Sequence, residues 1–522
     1  MKKRLIALVL TIGMSLSMVA CGEKSPNAPA DNAPADNAAA EDTAASVEDT
    51  ADTEVQTANP DASKVINVAV GSFATSSVVT AKELYEAEHS DVSINIVEIP
   101  FGNLYEKLCT SFATNTAAYD IVIYPSNWLA EFIQGNSVIA LDDYLTTKDN
   151  WDTIVDAYKG INAYEGKIYS VPLDGDSIIL YYRKDAFENE DYKAQFKEKY
   201  GRDLTVPVTW DEYIECAEFF NGWDWDGDGE LEYGTIEAMA PKDVGGYIFL
   251  THALTYAAHP DYTGYAFFDY ETLEPMVNSP AYLRALEEYK QILKLGPPNM
   301  INYGGGDERA AFAAGEAAMA IDWHDTAVMA QDVNESKIKD NVGYALVPGS
   351  REVWNPGTKQ WDTFDEVQYA PFLAFSGWTS SITSSCQNPQ DAADFLNVLD
   401  SDEVSMEAVT TPGTARNPYR EEHLTNSEAW ENSVSKFVNP QEFLDVVMES
   451  YTHPNHQLDM RLPKAGSYLD AIDTAVSQAL AGDISNEKAL QGAYDAWQEI
   501  TDDEDRDTQI TFYQNTYLSD KK

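Results

Sequence analysis

Cysteine is scarce in this chain, with four in 522 residues. Cys21 lies near the start, and Cys109, Cys216 and Cys386 are far apart and odd in number. That pattern excludes a disulfide framework and points to small buried side chains. Positive charge is scarce too: 34 Lys and Arg stand against 87 Asp and Glu, a formal net charge of −53. Such an excess excludes nucleic acid and an anionic membrane surface as ligands. Beyond Ala20 no run approaches the ~18–20 apolar residues that a membrane span needs. The signatures of common hydrolases are missing as well, with no G-x-S-x-G and no H-E-x-x-H. "YGGGDE" (Tyr303–Glu308) lacks the Lys-Ser/Thr of a phosphate loop. His453, His456 and Asp459 fall at three-residue steps that suit zinc on a helix. Pro454 spoils the helix start, however, and no fourth ligand is evident.

What is present begins with a signal peptide over 1–20: Lys2, Lys3 and Arg4, then the apolar run Leu5–Ile12 and small residues up to Cys21. Met18, Val19 and Ala20 before Cys21 resemble the lipobox of bacterial lipoproteins. The resemblance implies an acylated, palmitate-type lipid anchor at Cys21 and a protein tethered outside the cytoplasm. From Cys21 to residue 63 the chain is Ala, Asp, Asn, Pro, Glu and Thr with little that is large and apolar. Such a segment buries too little to offset its ordering entropy and is expected to be a disordered acidic stalk.

Beyond the stalk, short apolar runs alternate with helical periodicity. "VINVAVGSF" (Val65–Phe73) reads as a buried strand, and Ala81, Leu84 and Tyr85 as a helix face. Val92, Ile94 and Ile96 alternate as a strand, while Leu104, Leu108 and Phe112 step as a helix. Ile121–Tyr124 gives a third strand that breaks at Pro125. The alternation argues for parallel α/β layers. Thr209 with Glu212 makes a capping box, Asn388 caps a helix that opens on Pro389, and Ala489, Ala493 and Trp497 mark the last helix read.

In that order the pieces resemble the extracellular solute-binding lipoproteins of ABC sugar importers, the maltose-binding-protein-like family 1. The carriers are "YDIVIYPSNWLAEFIQGNSVIALDDYL", "GKIYSVPLDGDSIILYYRKDAF", "AAFAAGEAAMAIDW", "GYALVPG", "SGWTSSITSSCQNPQDAADFLNVL" and "ALAGDISNEKALQGAYDAW". The resemblance implies an α/β, two-lobe periplasmic-binding-protein-like fold with a hinge and an interlobe ligand cleft. By analogy the N-terminal lobe takes 64–172 plus 340–400, and the C-terminal lobe 176–337 plus 401–522. It also implies a monomer with no required cofactor, partnered by a carbohydrate and by the transmembrane subunits of an ABC permease. It touches the membrane only through the lipid.

A sugar offers C–H faces to aromatic rings and hydroxyls to charged or bidentate partners. Phe73 and Trp128 end strands at expected loop tips. Asp176 and Tyr182 are six residues apart in a strand-like run, so they share a face, and Asp174 joins them if the strand starts early. Asp176 also matches an acidic ligand position in the family's crossing segment, and the family places contacts in the loops of Trp323 and Trp378. Arg416 and Arg461 are loop arginines that fit a ligand or an interlobe salt bridge equally. Trp210 reads as core. Rival readings are the same fold binding a polyol, polyamine or peptide, and a glycosidase using an acid pair such as Asp174 and Asp176.

One stretch stands apart. "WDWDGDGELEYG" places Asp224, Asp226 and Asp228 at alternate positions, with Glu230 able to offer a carbonyl and Glu232 at the ninth position. A calcium loop uses this order, though its twelfth position here is Thr235. The nine-position form, closed by a distant ligand, could hold a structural Ca²⁺; a solvated Asp-Gly turn is the alternative. Trp223 and Trp225 are expected to pack beneath it.

Overall fold

The chain folds around two mixed sheets, and where it passes between them fixes everything that follows. The computed structural model describes residues 53–56, 62–145 and 148–517, all within the unit Asp52–Lys522. The signal segment, Cys21 and residues 21–52 lie outside the described residues.

The first sheet has six strands in the order Thr53–Gln56, Val92–Ile99, Lys64–Gly71, Ile121–Pro125, Trp378–Ile382, Val171–Asp174. Lys64–Gly71 runs parallel to both neighbours, and Ile66, Val68, Ala69 and Val70 are fully buried, as a central parallel strand covered on both faces requires. The helix Thr75–Glu88 covers this sheet and packs on Pro389–Leu399. Phe101–Thr114 buries Leu104 and Leu108 and stops at Asn115, whose φ of 48° makes a left-handed cap.

The second sheet runs Val342–Leu346, Ile178–Arg183, Ala317–Trp323, Tyr233–Glu237. Ile178–Arg183 is antiparallel to both neighbours, and Ala317–Trp323 is parallel to Tyr233–Glu237. Neither sheet is purely parallel, because each takes an antiparallel strand from a crossing segment.

Several expectations need correction. Thr53–Gln56, inside the segment read as stalk, is an edge strand antiparallel to Val92–Ile99. An open ladder of backbone donors and acceptors there recruits a segment that has no core of its own. Residue 340 is not the return to the first lobe: Val342–Leu346 pairs with Ile178–Arg183. The hairpin Ser350–Asn355/Gln360–Gln368 follows, packed on the Gly245–Ala257 helix, and the first sheet resumes at Trp378. The Thr209–Glu212 box forms by half: Thr209 Oγ1 accepts from Glu212 N, but the Glu212 carboxylate takes the N–H of Val208. Asn388 makes no side-chain cap, leaving Pro389 to set the start. Trp210 is core, fully buried and stacked on His252 at 3.6 Å.

The first crossing is short. Asp174 ends one sheet, Ile178 begins the other, and Gly175, Asp176 and Ser177 span the gap. A Cβ at Gly175 would collide with the Pro418 carbonyl and the Tyr451 hydroxyl. Only glycine lets 174–176 and 416–419 run this close.

Candidate functional site

Loops from the strand ends of both sheets meet over this crossing and enclose two adjoining cavities, of about 420 and 400 Å³, that share Phe101 and Asp243 as walls. The first is built on Asp174, Asp176, Trp323, Asp325, Trp378 and Asn417, and the second on Tyr105, Trp128, Tyr247, Asp470 and Asp473.

Aromatic rings run continuously from one cavity to the other. Trp323 stacks on Phe375 at 5.6 Å, Phe375 meets Trp378 at 5.9 Å, and Trp378 meets Phe101 at 5.7 Å. Phe101 lies parallel to Trp128 at 6.5 Å, and Trp128 abuts Tyr105 at 5.0 Å. Phe375 also meets Tyr247, on the Gly245–Ala257 helix, 4.1 Å away. Its position depends on an unusual backbone: Phe375, Ser376 and Gly377 all have positive φ, at 60°, 56° and 76°. Two consecutive non-glycine residues in that region store strain, which tends to collect at functional loops.

Carboxylates line the floor. Asp174 is buried, accepts the backbone N–H of Asn417 and faces the Arg416 guanidinium. Burial pushes its pKa up despite that cation. Asp176 is 2% exposed, and its Oδ1 accepts Asn417 Nδ2 at 2.8 Å while Oδ2 has no partner in the protein. Burial and the neighbouring Asp174 and Asp325 charges hold its pKa well above the carboxylate range. Arg309 bridges Asp322 at 2.5 Å and Asp325 at 2.7 Å, leaving Asp325 Oδ1 and Trp323 Nε1 unpartnered. Buried polar atoms without partners are rare. These three belong to residues of the first cavity, whose walls carry rings, an arrangement that suits a small-molecule site.

Of the residues singled out from sequence, Trp128, Asp174, Asp176, Trp323 and Trp378 come together here. Three others do not line either cavity. Tyr182 lies on the strand beyond the crossing, against Phe187 at 5.4 Å and over Gly343; the strand starts at Ile178, so it does not share a face with Asp176. Arg416 sits behind the wall, donating to the Leu173 carbonyl. Arg461 donates to the Thr516 carbonyl at 2.6 Å and to that of Ile161, tying two distant segments together. The Phe73 side chain lies outside the described residues, although Ser72 beside it lines the first cavity. Phe101, Phe375, Tyr247, Arg309 and Asn417 were not picked out. Phe101 had a signal, an aromatic just after a strand-ending proline; Phe375 had none, because its place depends on backbone angles.

A family model described as bacterial extracellular solute-binding protein matches residues 80–435. The chain belongs to this family. The mannitol-binding protein of Pseudomonas aeruginosa is 25% identical over 433 residues, covering 79% of this chain and 87% of that one. A maltose-bound protein of T. maritima superposes with a TM-score of 0.65 at 20% identity, covering 84% of this chain and 100% of the other. An ABC-transporter solute-binding protein of Agrobacterium vitis S4, with bound D-mannitol, gives a TM-score of 0.65 at 19% identity, covering 84% and 99%. These structures share the two-lobe fold. Among the described residues, no helix of this solute-binding protein is long and apolar enough to cross a membrane.

The acidic loop of the solute-binding protein lies apart from both cavities. Ligand atoms of Asp224, Asp226, Asp228 and Glu232 fall within 4.8 Å of one another. They already accept backbone bonds: Gly227 and Gly229 donate to Asp224, Asp228 to Asp226, Glu230 to Asp228, and Trp225 to the buried Glu232. Arg183 approaches Asp226 at 3.8 Å. Trp225 packs under the loop against Phe220 and Arg183, and Trp223 against Tyr192. Thr235, the twelfth position, is buried in a strand beside the Tyr213 hydroxyl and offers nothing to the loop.

Proposed function

We propose that this protein captures a carbohydrate or sugar alcohol between its lobes and delivers it, in the closed form, to an ABC permease. The observation that carries the reading is the ring-lined double cavity, with buried, half-satisfied carboxylates in its first part. Rings stack on the C–H faces of a sugar, and Asp176, Asp325 and Trp323 supply acceptors and a donor for its hydroxyls. Closure follows if the solute prefers the closed arrangement, in which both lobes touch it. Relatives that bind mannitol and maltose support a polyhydroxylated ligand. In this reading Cys21 carries the lipid that holds a monomer at the cell surface, the protein binds without turnover, and the acidic loop takes a structural calcium ion.

The test is thermal unfolding of the purified protein against mannitol, ribitol, maltose, cellobiose and spermidine. A solute at ~100 times its dissociation constant adds about 2.7 kcal/mol, a clear upward shift. A shift with a sugar or sugar alcohol is expected, without release of hydrolysis products. A shift with spermidine alone overturns the carbohydrate reading.

A further inference from the structure

The carboxylates around the first cavity are not equally compensated. Asp325 has Arg309 at 2.7 Å, and Asp174 has the Arg416 guanidinium in its field. Asp176 has neither. Among the described residues it forms no ion pair, it is 2% exposed, and its Oδ2 has no hydrogen-bond partner although it lines the cavity. Without a cation, burial favours the neutral form of this carboxyl, and a cation bound against Oδ2 is what would make its ionised form favourable there. Trp323, Trp378, Phe375 and Phe101 line the same cavity, and aromatic rings attract positive charge at their faces. The charge of the adjoining cavity has the same sign. Glu106, Asp243, Asp470 and Asp473 line it against Lys242 alone.

A sugar hydroxyl offers Asp176 one hydrogen bond and no charge, whereas an ammonium offers three donors and the charge. We infer that the captured solute carries a protonated amine, as an amino sugar or amino-deoxy alditol does, and that Asp176 is its counter-ion. This rests on the reading of the cleft as a carbohydrate site, and adds the charge of the ligand to it. Arg309 does not cancel the preference, because its guanidinium is already shared between Asp322 and Asp325.

Isothermal titration of the protein with matched pairs tests the inference: mannitol with 1-amino-1-deoxymannitol, glucose with glucosamine, and cellobiose with its diamino counterpart chitobiose. N,N′-diacetylchitobiose serves as the amine-blocked control. The expected result is at least ten-fold tighter binding of the amine in a pair that binds, with the advantage shrinking as salt rises. In Asp176→Asn the amine should fall to within about three-fold of its neutral partner, and a melting temperature within a few degrees of wild type reports that the variant is folded. Equal or tighter binding of the neutral or acetylated member, in wild-type protein, overturns the inference and leaves the carbohydrate reading standing. No binding of any sugar, charged or neutral, overturns both.

Discussion

Arg461 shows how a residue with the right chemistry for a ligand can serve another purpose. A loop arginine near a cleft suits sugar hydroxyls, yet its guanidinium is 2% exposed and occupied by the carbonyls of Thr516 and Ile161. Replacing it with Met removes charge-assisted bonds to two segments and leaves their carbonyls buried without donors. Arg461→Met should cost about 2–4 kcal/mol of stability, read by denaturant melts, while the dissociation constant for the captured solute stays within about two-fold. A large loss of affinity at unchanged stability would return Arg461 to the binding site. Trp323 and Trp378 were legible through the family resemblance, which places contacts in their loops, and Trp128 through its loop after a strand. Trp128, Trp323 and Trp378 all reach the cavities. Phe375 was not legible, since a φ of 60° at a non-glycine residue leaves no trace in composition or periodicity. Arg309 and Asn417 stayed hidden for another reason. Their partners, Asp322 and Asp325 for one and Asp174 and Asp176 for the other, were not known to be neighbours until the segments were placed.

Elements were legible where apolar spacing alone determines them. Lys64–Gly71, Val92–Ile99 and Ile121–Pro125 fall where the runs predict. Pairing was harder to read, because Val342–Leu346 satisfies the same hydrophobic pattern in either sheet and only its partner, Ile178–Arg183, decides. The acidic loop is the element whose role the spacing suggested and whose ion is still a proposal. Its backbone bonds already organise the turn, so a calcium ion would add neutralisation of four gathered carboxylates rather than the shape itself. If the proposal holds, millimolar calcium raises the melting temperature over that in chelator, and Asp226→Asn with Asp228→Asn removes the difference. At ~1,000 times the dissociation constant the gain is about 4 kcal/mol. Solute affinity should not follow, since no loop residue lines the cavities. Identical melting in calcium and chelator would mean a solvated turn held by its own amides.

At the scale of the whole molecule, an excess of acid that says little about fold becomes a statement about pH. Burial pushes Asp459 up to about 7, and Asp400 and Asp473 up to about 6, from an ordinary 3.8. A carboxyl whose folded pKa lies above its unfolded one binds its proton more tightly in the native state. Its contribution to stability is therefore full below about 4 and is lost as pH rises through 6 to 7. Two buried histidines act the other way: His324 is pushed down to about 3 and His423 well below 6.5, both by burial. Their contribution is present above 6.5 and is lost as pH falls below it. Between pH 8 and 6.5 the carboxyls act alone, so the melting temperature should rise as pH is lowered through that window. The net charge of −53 pushes the same way, because protonation relieves self-repulsion. Salt separates the two: at 0.5 M sodium chloride long-range repulsion is screened, while the desolvation of buried groups is not. A rise that persists in high salt and flattens in Asp459→Asn identifies burial as the cause; one that vanishes in salt assigns it to surface charge instead.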